Sequence, residues 1–509
     1  MIIVTTADES GTGFGCLLYA RRLALVSAGR ARRPNGVAFA VGLIVSRVTA
    51  MEASVSQPND AATAPVFGFI LLGGPLSGAL IRDIRLANEL ADRGFPVHVW
   101  WAVDRQNDAP LRPSITQHWL FHGFRYLAGR GSGVTDHFGR FLTQSLRDKN
   151  RMRGAQKRPK VLERVMAGVI DRVCDGVEGD PRIVRRFAKD LDEAGVTHLL
   201  PMLGLLCPWA AAARRFVKHP LKYLVTFQGY ELYVHYARDN GCKQTLYTRL
   251  VEAVDQSDWP AIAVSEDYVE RVVEDIGVSK DRLRGIPPGV PINVPQEKAH
   301  AADRVAKKFP EFRRDVPLVS YLGRRDTEKG IDLLLYAINI LRRGGLPIQL
   351  AVCGPTLFGQ KYADVCRQLA DDLRCPVMWS NHISDELRSA LFFASRCVVY
   401  PSIHREPFGM VPVEAMAHGT PVVVPDYGGV AGAIQAEGET GGLHFRAWDS
   451  ADLADKIATI TKDDDVHRRL SEAGPRVAAY YSVENLADRV LTHIGLPLKP
   501  SQPAVHSDR

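Results

Sequence analysis

What the 509-residue sequence lacks narrows its function first. Near the start, Val37 to Ser46 is apolar but far shorter than the about 20 residues that span a bilayer, and no small-residue cleavage site follows it. The run therefore reads as neither a signal peptide nor an anchor. Cysteine is scarce: Cys16, Cys174, Cys207, Cys242, Cys353, Cys366, Cys375 and Cys397 form no Cys-x-x-Cys pair and share no histidine spacing suited to zinc. They read as reduced, mostly buried thiols, which points to a cytoplasmic setting. One-sided charge is lacking too, since a formal net charge of +7 gives no argument for nucleic acid. With 46% hydrophobic and 24% charged residues, extensive disorder has no support, and the length suits two or three domains.

The charge that is present is unevenly placed. Nine basic residues fall between Arg140 and Arg164, against only Asp148 and Glu163, with Phe141, Leu142, Leu146, Met152, Val161 and Leu162 among them. Such a segment suits an anionic acceptor or peripheral contact with the inner face of a membrane; a solvated basic face is the alternative. Gly11 to Gly15 (GTGFG) lacks the second strand with a terminal acid that a nucleotide loop requires. Met51 opens a polar stretch that leads into the first strong strand. Residues 1–65 are thus expected to be a poorly ordered N-terminal extension, the part before Met51 being dispensable or an upstream start.

From Val66 onward, short β-rich apolar runs alternate with amphipathic segments of helical length, the pattern of parallel α/β sheets. Strands are predicted at Val66 to Leu72, Val97 to Trp101, His198 to Met202, Tyr223 to Phe227 and Ala261 to Val264. A second set is predicted at Leu318 to Leu322, Gln349 to Cys353, Val377 to Trp379, Val398 to Tyr400 and Val422 to Val424. Between the sets, Ile286 to Gln296 is rich in proline, which blocks both helix and central strand. The organisation expected is an N-terminal domain at 66–285, a linker at 286–315, a C-terminal domain at 316–480, a helix at 481–497 returning to the N-domain, and a tail at 498–509. Ligands of such sheets bind beyond the carboxyl ends of the strands, so two facing domains form one cleft.

The most informative local pattern runs from His404 to Gly429. Glu406 and Glu414 flank a helix expected to start near Gly409, where Phe408, Gly409 and Met410 present backbone N–H groups to an anion or a sugar hydroxyl. Pro412 is tolerated in the first helical turn. Glu414 returns to the face of Met410 about 6 Å along the axis. Either glutamate can accept paired hydrogen bonds from a diol; a helix-capping Glu406 and an exposed Glu414 are the structural alternative. A second cluster, Ser320 to Ile338, places Gly323, Arg324 and Lys329 between a strand and a helix, where a planar fork and a mobile ammonium suit a diphosphate. Gly428 to Ile434 adds a glycine-rich turn after another strand.

Taken together these motifs resemble the retaining family 4 glycosyltransferases, in motif order over most of residues 66–495. The resemblance implies the GT-B fold, an α/β architecture of two Rossmann-like parallel-sheet domains facing a central cleft. It implies transfer of a hexose-type sugar from a nucleoside-diphosphate donor to a hydroxyl acceptor such as a glycan, a lipid-linked sugar or a small molecule, in carbohydrate biosynthesis. Arg324 and Lys329 would contact the pyrophosphate, Glu406 with Phe408, Gly409 and Met410 the sugar, and Glu414 the ribose. Gly73 and Gly74 would face the donor phosphate and acceptor, and Gln228 and Tyr230 the acceptor and sugar side. Catalysis would rest on Glu406, Arg324 and Lys329, with no cofactor and no metal. Gln228 stands where many members carry histidine, and it cannot carry a proton near neutral pH. Pro287 to Pro291 replaces an Asn-Gly-Val-Asp run, and Gly432 an acid. A nicotinamide oxidoreductase is disfavoured because Gly73, Gly74 and Gly78 have the wrong spacing. A nucleotide-sugar-binding protein without transfer activity, or a GT-B sugar epimerase, remains the alternative.

Overall fold

The first strand, β1 (Phe67–Leu71), is buried along its whole length, as a central parallel strand covered on both faces must be. In a computed structural model of the chain, the residues described are 64–71, 77–101, 110–119, 181–229, 231, 241–294, 298–356 and 360–499. The chain divides into two units, Met1–Ala61 and Ala62–Arg509, and the structure below is that of the second. Residues 1–63, the basic segment 140–164 and the last residues, 500–509, lie outside the described residues.

β1 is joined by β2 (Val97–Trp101), β3 (Thr116–Trp119), β4 (His198–Pro201) and β5 (Lys222–Tyr223) in a parallel sheet of order β3-β2-β1-β4-β5. Helices α1 (Gly78–Asp92), α2 (Pro181–Glu193) and α3 (Cys207–Arg214) belong to this layer. Ser77 starts α1 by accepting the Leu80 N–H at 3.3 Å. A second parallel sheet holds β6 (Thr226–Phe227), β7 (Ala261–Ala263) and β8 (Leu283–Gly285), with α4 (Gly241–Asp255) before β7 and α5 (Glu266–Arg271) after it.

The single strand expected at Tyr223 to Phe227 is therefore two, in different sheets. Leu224 N–H still donates to Leu199 of β4 at 3.1 Å, whereas the Val225 carbonyl already accepts from Ile262 of β7 at 2.9 Å. The chain changes partner between two buried apolar residues, which leaves no mark in the hydrophobic pattern.

After α6 (Ala301–Lys308), the third sheet has the order β11-β10-β9-β12-β13-β16, all parallel. Its strands are β9 (Leu318–Leu322), β10 (Gln349–Cys353), β11 (Val377–Ser380), β12 (Cys397–Val399), β13 (Val422–Pro425) and β16 (Gly442–Phe445). A short antiparallel pair, β14 (Gln435–Ala436) and β15 (Glu439–Thr440), precedes the last. Helices α7 (Ile331–Arg343), α8 (Gln360–Asp372), α9 (Asp385–Ala394), α10 (Met410–Ala417) and α11 (Gly429–Ala433) connect the strands. α12 (Ser450–Lys462), α13 (Asp464–Tyr480) and α14 (Val483–His493) end the described chain. Apart from the split strand, each predicted strand is found within a residue at either end; β3, β8, β16 and the β14–β15 pair were not foreseen. The stretch 286–315 also contains α6, which packs on α9.

The chain crosses between the sheets twice, and the crossings touch. Val290 N–H donates to the Tyr481 carbonyl at 2.8 Å. α14 then lies on α1, where Arg93 donates to Asp488 at 2.5 Å and to the Glu484 carbonyl at 3.0 Å. These contacts fix α1 and the two crossings as neighbours.

Candidate functional site

The strand ends of the third sheet gather the charged groups. After β9, a turn of 3₁₀ helix (Thr327–Lys329) ends at Gly330, whose φ of 63° and close approach to Pro401 exclude a side chain: a Cβ there would lie 2.1 Å from the Pro401 carbonyl oxygen. The turn thereby pushes Lys329 against the end of β12. Its ammonium donates to Glu406 Oε2 at 2.6 Å and to the Tyr400 hydroxyl at 3.2 Å, with side-chain exposures of 7% for Lys329 and 17% for Glu406. Burial alone would raise the Glu406 carboxyl, but Lys329, through its charge and hydrogen bond, outweighs that with help from His404 and Arg324. The carboxyl is held below its ordinary value. Burial, reinforced by Glu406, pushes the Tyr400 hydroxyl up. Arg324 pairs with Asp326 and, at 3.0 Å, with Glu328. Arg325, not singled out from the sequence, is 2% exposed and ties this loop to the Gly354 carbonyl at 2.8 Å and to Asn381.

Gly409 precedes α10 with φ 96°, packed so closely that a Cβ would meet Val430 Cγ2 at 2.7 Å. No side chain caps this helix, and among the described residues the N–H groups of Phe408, Gly409 and Met410 donate to no protein acceptor. They form an open donor set at a helix N-terminus. The Phe408 ring is buried edge-on to Tyr481, so only its backbone serves the site. Glu414, one turn on, has one oxygen 3.1 Å from Arg85 of α1 and the other 3.3 Å from Arg388 of α9. Arg85 also donates to the Gly289 carbonyl at 3.1 Å, in the first crossing. The start of α1 faces the start of α10 directly, a Cβ on Gly78 falling 3.2 Å from Met410 Cε.

Across the cleft, Gln228 follows β6, and the adjacent Gly229 abuts Pro407. The Pro407 carbonyl accepts from Ser265 Oγ at 2.6 Å, and Arg405 pairs with Asp267 at 2.7 Å, so both ends of this contact are tied. The Gln228 amide nitrogen donates to Asp83 Oδ2 at 2.7 Å and to the Met202 carbonyl at 2.5 Å. Asp83 is 2% exposed, and burial pushes its carboxyl up to about 6 against the lowering influence of Arg82 and Gln228. The turn itself is built on Glu231, fully buried, which accepts from the N–H groups of Gly204 (2.9 Å), Gln228 (3.2 Å) and Gly229 (3.0 Å) and from the Tyr268 hydroxyl (3.4 Å). Burial raises the Glu231 carboxyl while those backbone donors oppose the rise. Sequence reasoning missed Glu231, although an acid three residues after Gln228 inside an apolar stretch was the available signal. Gly73, Gly74 and Tyr230 lie outside the described residues. The structure thus gathers Arg324, Lys329, Glu406, Phe408, Gly409, Met410 and Glu414 on one wall and places Gln228 on the other. Cys207, Cys353, Cys366, Cys375 and Cys397 are free and buried.

Residues 303–477, which carry every member of that first wall, match the family described as Glycosyl transferases group 1. The match is confined to this domain, about a third of the chain. The chain is 30% identical over 262 residues to D-inositol 3-phosphate glycosyltransferase of Corynebacterium urealyticum, covering 49% of this chain and 60% of the relative. To mannosylfructose-phosphate synthase of Agrobacterium fabrum it is 30% identical over 224 residues, 43% of this chain and 48% of the relative. The chain thus spans about half of the curated relatives' length. The fold is GT-B: the Anabaena HepE structure in complex with UDP and glucose superposes with a TM-score of 0.60 at 16% identity, covering 84% of this chain and 99% of that one. Sucrose-phosphate synthase of Thermosynechococcus elongatus superposes with a TM-score of 0.61 at 20% identity, covering 84% and 98%.

Proposed function

We propose that this chain is a retaining, family 4 glycosyltransferase that moves a hexose-type sugar from a nucleoside diphosphate to a hydroxyl acceptor. The observation that carries the proposal is the open donor set Phe408–Gly409–Met410 beside the buried Lys329–Glu406 pair. In this reading Glu406 and the three N–H groups hold the sugar, Lys329 and Arg324 meet the diphosphate, and Glu414 accepts the ribose hydroxyls. The Arg85 and Arg388 contacts orient the Glu414 carboxylate and leave it lone pairs to accept with. By the resemblance, Gly73 and Gly74 are assigned to the donor phosphate and acceptor, and Tyr230 to the acceptor and sugar side. Because HepE is described with UDP-glucose, UDP is the first nucleotide to try.

Bond making and breaking occur on one face of the sugar. The acceptor oxygen bonds to the anomeric carbon as the bond to the β-phosphate oxygen breaks, and the acceptor proton passes to that leaving oxygen. Arg324, Lys329 and the α10 N-terminus take up the charge that develops on the diphosphate; a single well-placed donor of this kind is worth about 3–4 kcal/mol. Gln228, its amide hydrogens committed to Asp83 and Met202, offers only an acceptor oxygen and positions hydroxyls without moving protons. Two cations in place of a metal imply turnover that survives chelation. The enzyme would act in the cytoplasm, and segment 140–164 is its candidate membrane contact; among the described residues no helix is long and apolar enough to cross one.

A thermal-shift panel of nucleoside diphosphates and sugars, followed by a coupled assay for diphosphate release with and without EDTA, tests the proposal. Retained turnover in EDTA is expected. Glu406→Gln should cost about 100-fold or more in turnover, and Gln228→Ala much less. Binding of a nucleotide sugar without release to any acceptor would favour the alternative of a binding protein, the reading to which Gln228 in place of histidine lends itself. Full turnover in both Glu406→Gln and Glu414→Gln would remove the assignment.

A further inference from the structure

α1 carries a charged cluster that the donor site does not use. Arg82 and Asp83 are each 2% exposed, and Arg82 Nη1 donates to Asp83 Oδ1 at 2.5 Å. Asp83 Oδ2 accepts from Gln228, which also donates to the Met202 carbonyl, so the cluster reaches the carboxyl ends of β4 and β6 on the wall opposite Glu406. The remaining nitrogens of Arg82, Nε and Nη2, are buried and have no hydrogen-bond partner among the described residues. Those two are not an arbitrary pair. Their N–H bonds run parallel along one edge of the guanidinium, the edge that takes two oxygens of a single phosphate or carboxylate.

Two parallel donors withdrawn from water are costly unless something accepts from them. No other described residue accepts from them. Asp83 does not relieve the cost either: its oxygens accept from Nη1 and from Gln228, and neither Nε nor Nη2 reaches them. No described residue supplies the missing acceptor, and an oxyanion supplied from outside would satisfy both donors at once. We infer that Arg82 binds, through its Nε–Nη2 edge, a phosphate or carboxylate group on the acceptor, so that the chain selects an anionic acceptor over a neutral one. This rests on the glycosyl-transfer reading above, and it assigns to the acceptor side a recognition element that neither Gln228 nor the donor clamp provides.

The test titrates the full-length protein, saturated with whichever nucleoside diphosphate the panel selects, with glucose 6-phosphate, glucuronate and glucose by calorimetry. Wild type should bind at least one anionic probe about tenfold or more tightly than glucose, and the better of the two tells phosphate from carboxylate. Arg82→Met should remove that preference while nucleoside diphosphate affinity stays within about twofold. Arg82→Lys, which keeps a charge but has no fork, should retain only part of it. Equal binding of all three probes to wild type, or an undiminished preference in Arg82→Met, overturns the inference. If Arg82→Met does not fold, Arg82→Lys decides, and an unchanged preference there overturns it equally. Should no nucleoside diphosphate bind wild type, the donor reading fails by itself, and the same titrations without nucleotide still score Arg82.

Discussion

Replacing Lys329 by methionine keeps most of the side chain's volume and removes the ammonium 2.6 Å from Glu406. Glu406 is then a mostly buried carboxylate left with the hydroxyls of Tyr400 and of Ser402, the latter 3.4 Å away, and no ammonium. Breaking a buried pair by deleting one partner typically costs about 3–5 kcal/mol. Glu406 has an escape, however, because it can take up a proton. For a carboxyl of ordinary value 4.5, protonation near pH 7 costs about 3 kcal/mol, at about 1.36 kcal/mol per pH unit. The cost of an unpaired Glu406 in the variant is therefore capped near about 3 kcal/mol at neutral pH, and the wild-type contribution lost with Lys329 adds to it. The sign follows from linkage: in wild type the lowered Glu406 value contributes stability above 4.5 that is lost as pH falls through the folded-state value. The variant has no such contribution to lose, so the gap between the two proteins should shrink toward zero as pH falls below about 4.5. Urea unfolding of both proteins at a series of pH values reads this, and Lys329→Met/Glu406→Gln should recover part of the loss. A gap that stays constant with pH, or a double variant as damaged as the two single changes added together, would refute the reasoning.

Glu231→Gln puts an amide where three backbone N–H groups converge, and losing acceptors there should cost about 2–3 kcal/mol, seen as a lower melting midpoint and weaker activity. Asp83, raised to about 6, contributes stability that is present below 3.8 and lost as pH rises through 6. Against Asp83→Asn, wild type should therefore lose up to about 3 kcal/mol between pH about 4 and 7, and no change in their difference would contradict the burial argument. Arg85→Met removes the guanidinium that links α1, the Gly289 carbonyl and Glu414. Nucleotide-free protein should then be cut faster by protease at residues 286–294, and an unchanged rate would show that the other interdomain contacts suffice.

The elements whose cause is local were legible in the chain. Leu318–Leu322 and Gln349–Cys353 are strands because each is a short apolar run bounded by turn formers, and α10 starts after Gly409 because the chain there needs a positive φ. The spacing of Glu406 and Glu414 around that helix, and the placement of Arg324 and Lys329 after β9, likewise follow from residues a few positions apart. β3, β8 and β16 were missed because a strand at the margin of a sheet carries a weaker apolar pattern.

The partners of the buried charges are another matter. Lys329 meets Glu406 across 77 residues, Gln228 meets Asp83 across 145, and Arg85 meets Glu414 across 329. Periodicity and turn chemistry act over a few residues, so they determine which segments become strands and helices and which charged groups stand at their ends. Which carboxylate neutralises which cation depends on strand order and on the two crossings that set α1 against α10. That choice is made only when the sheets assemble, because only then are the charges withdrawn from water and forced to find one another.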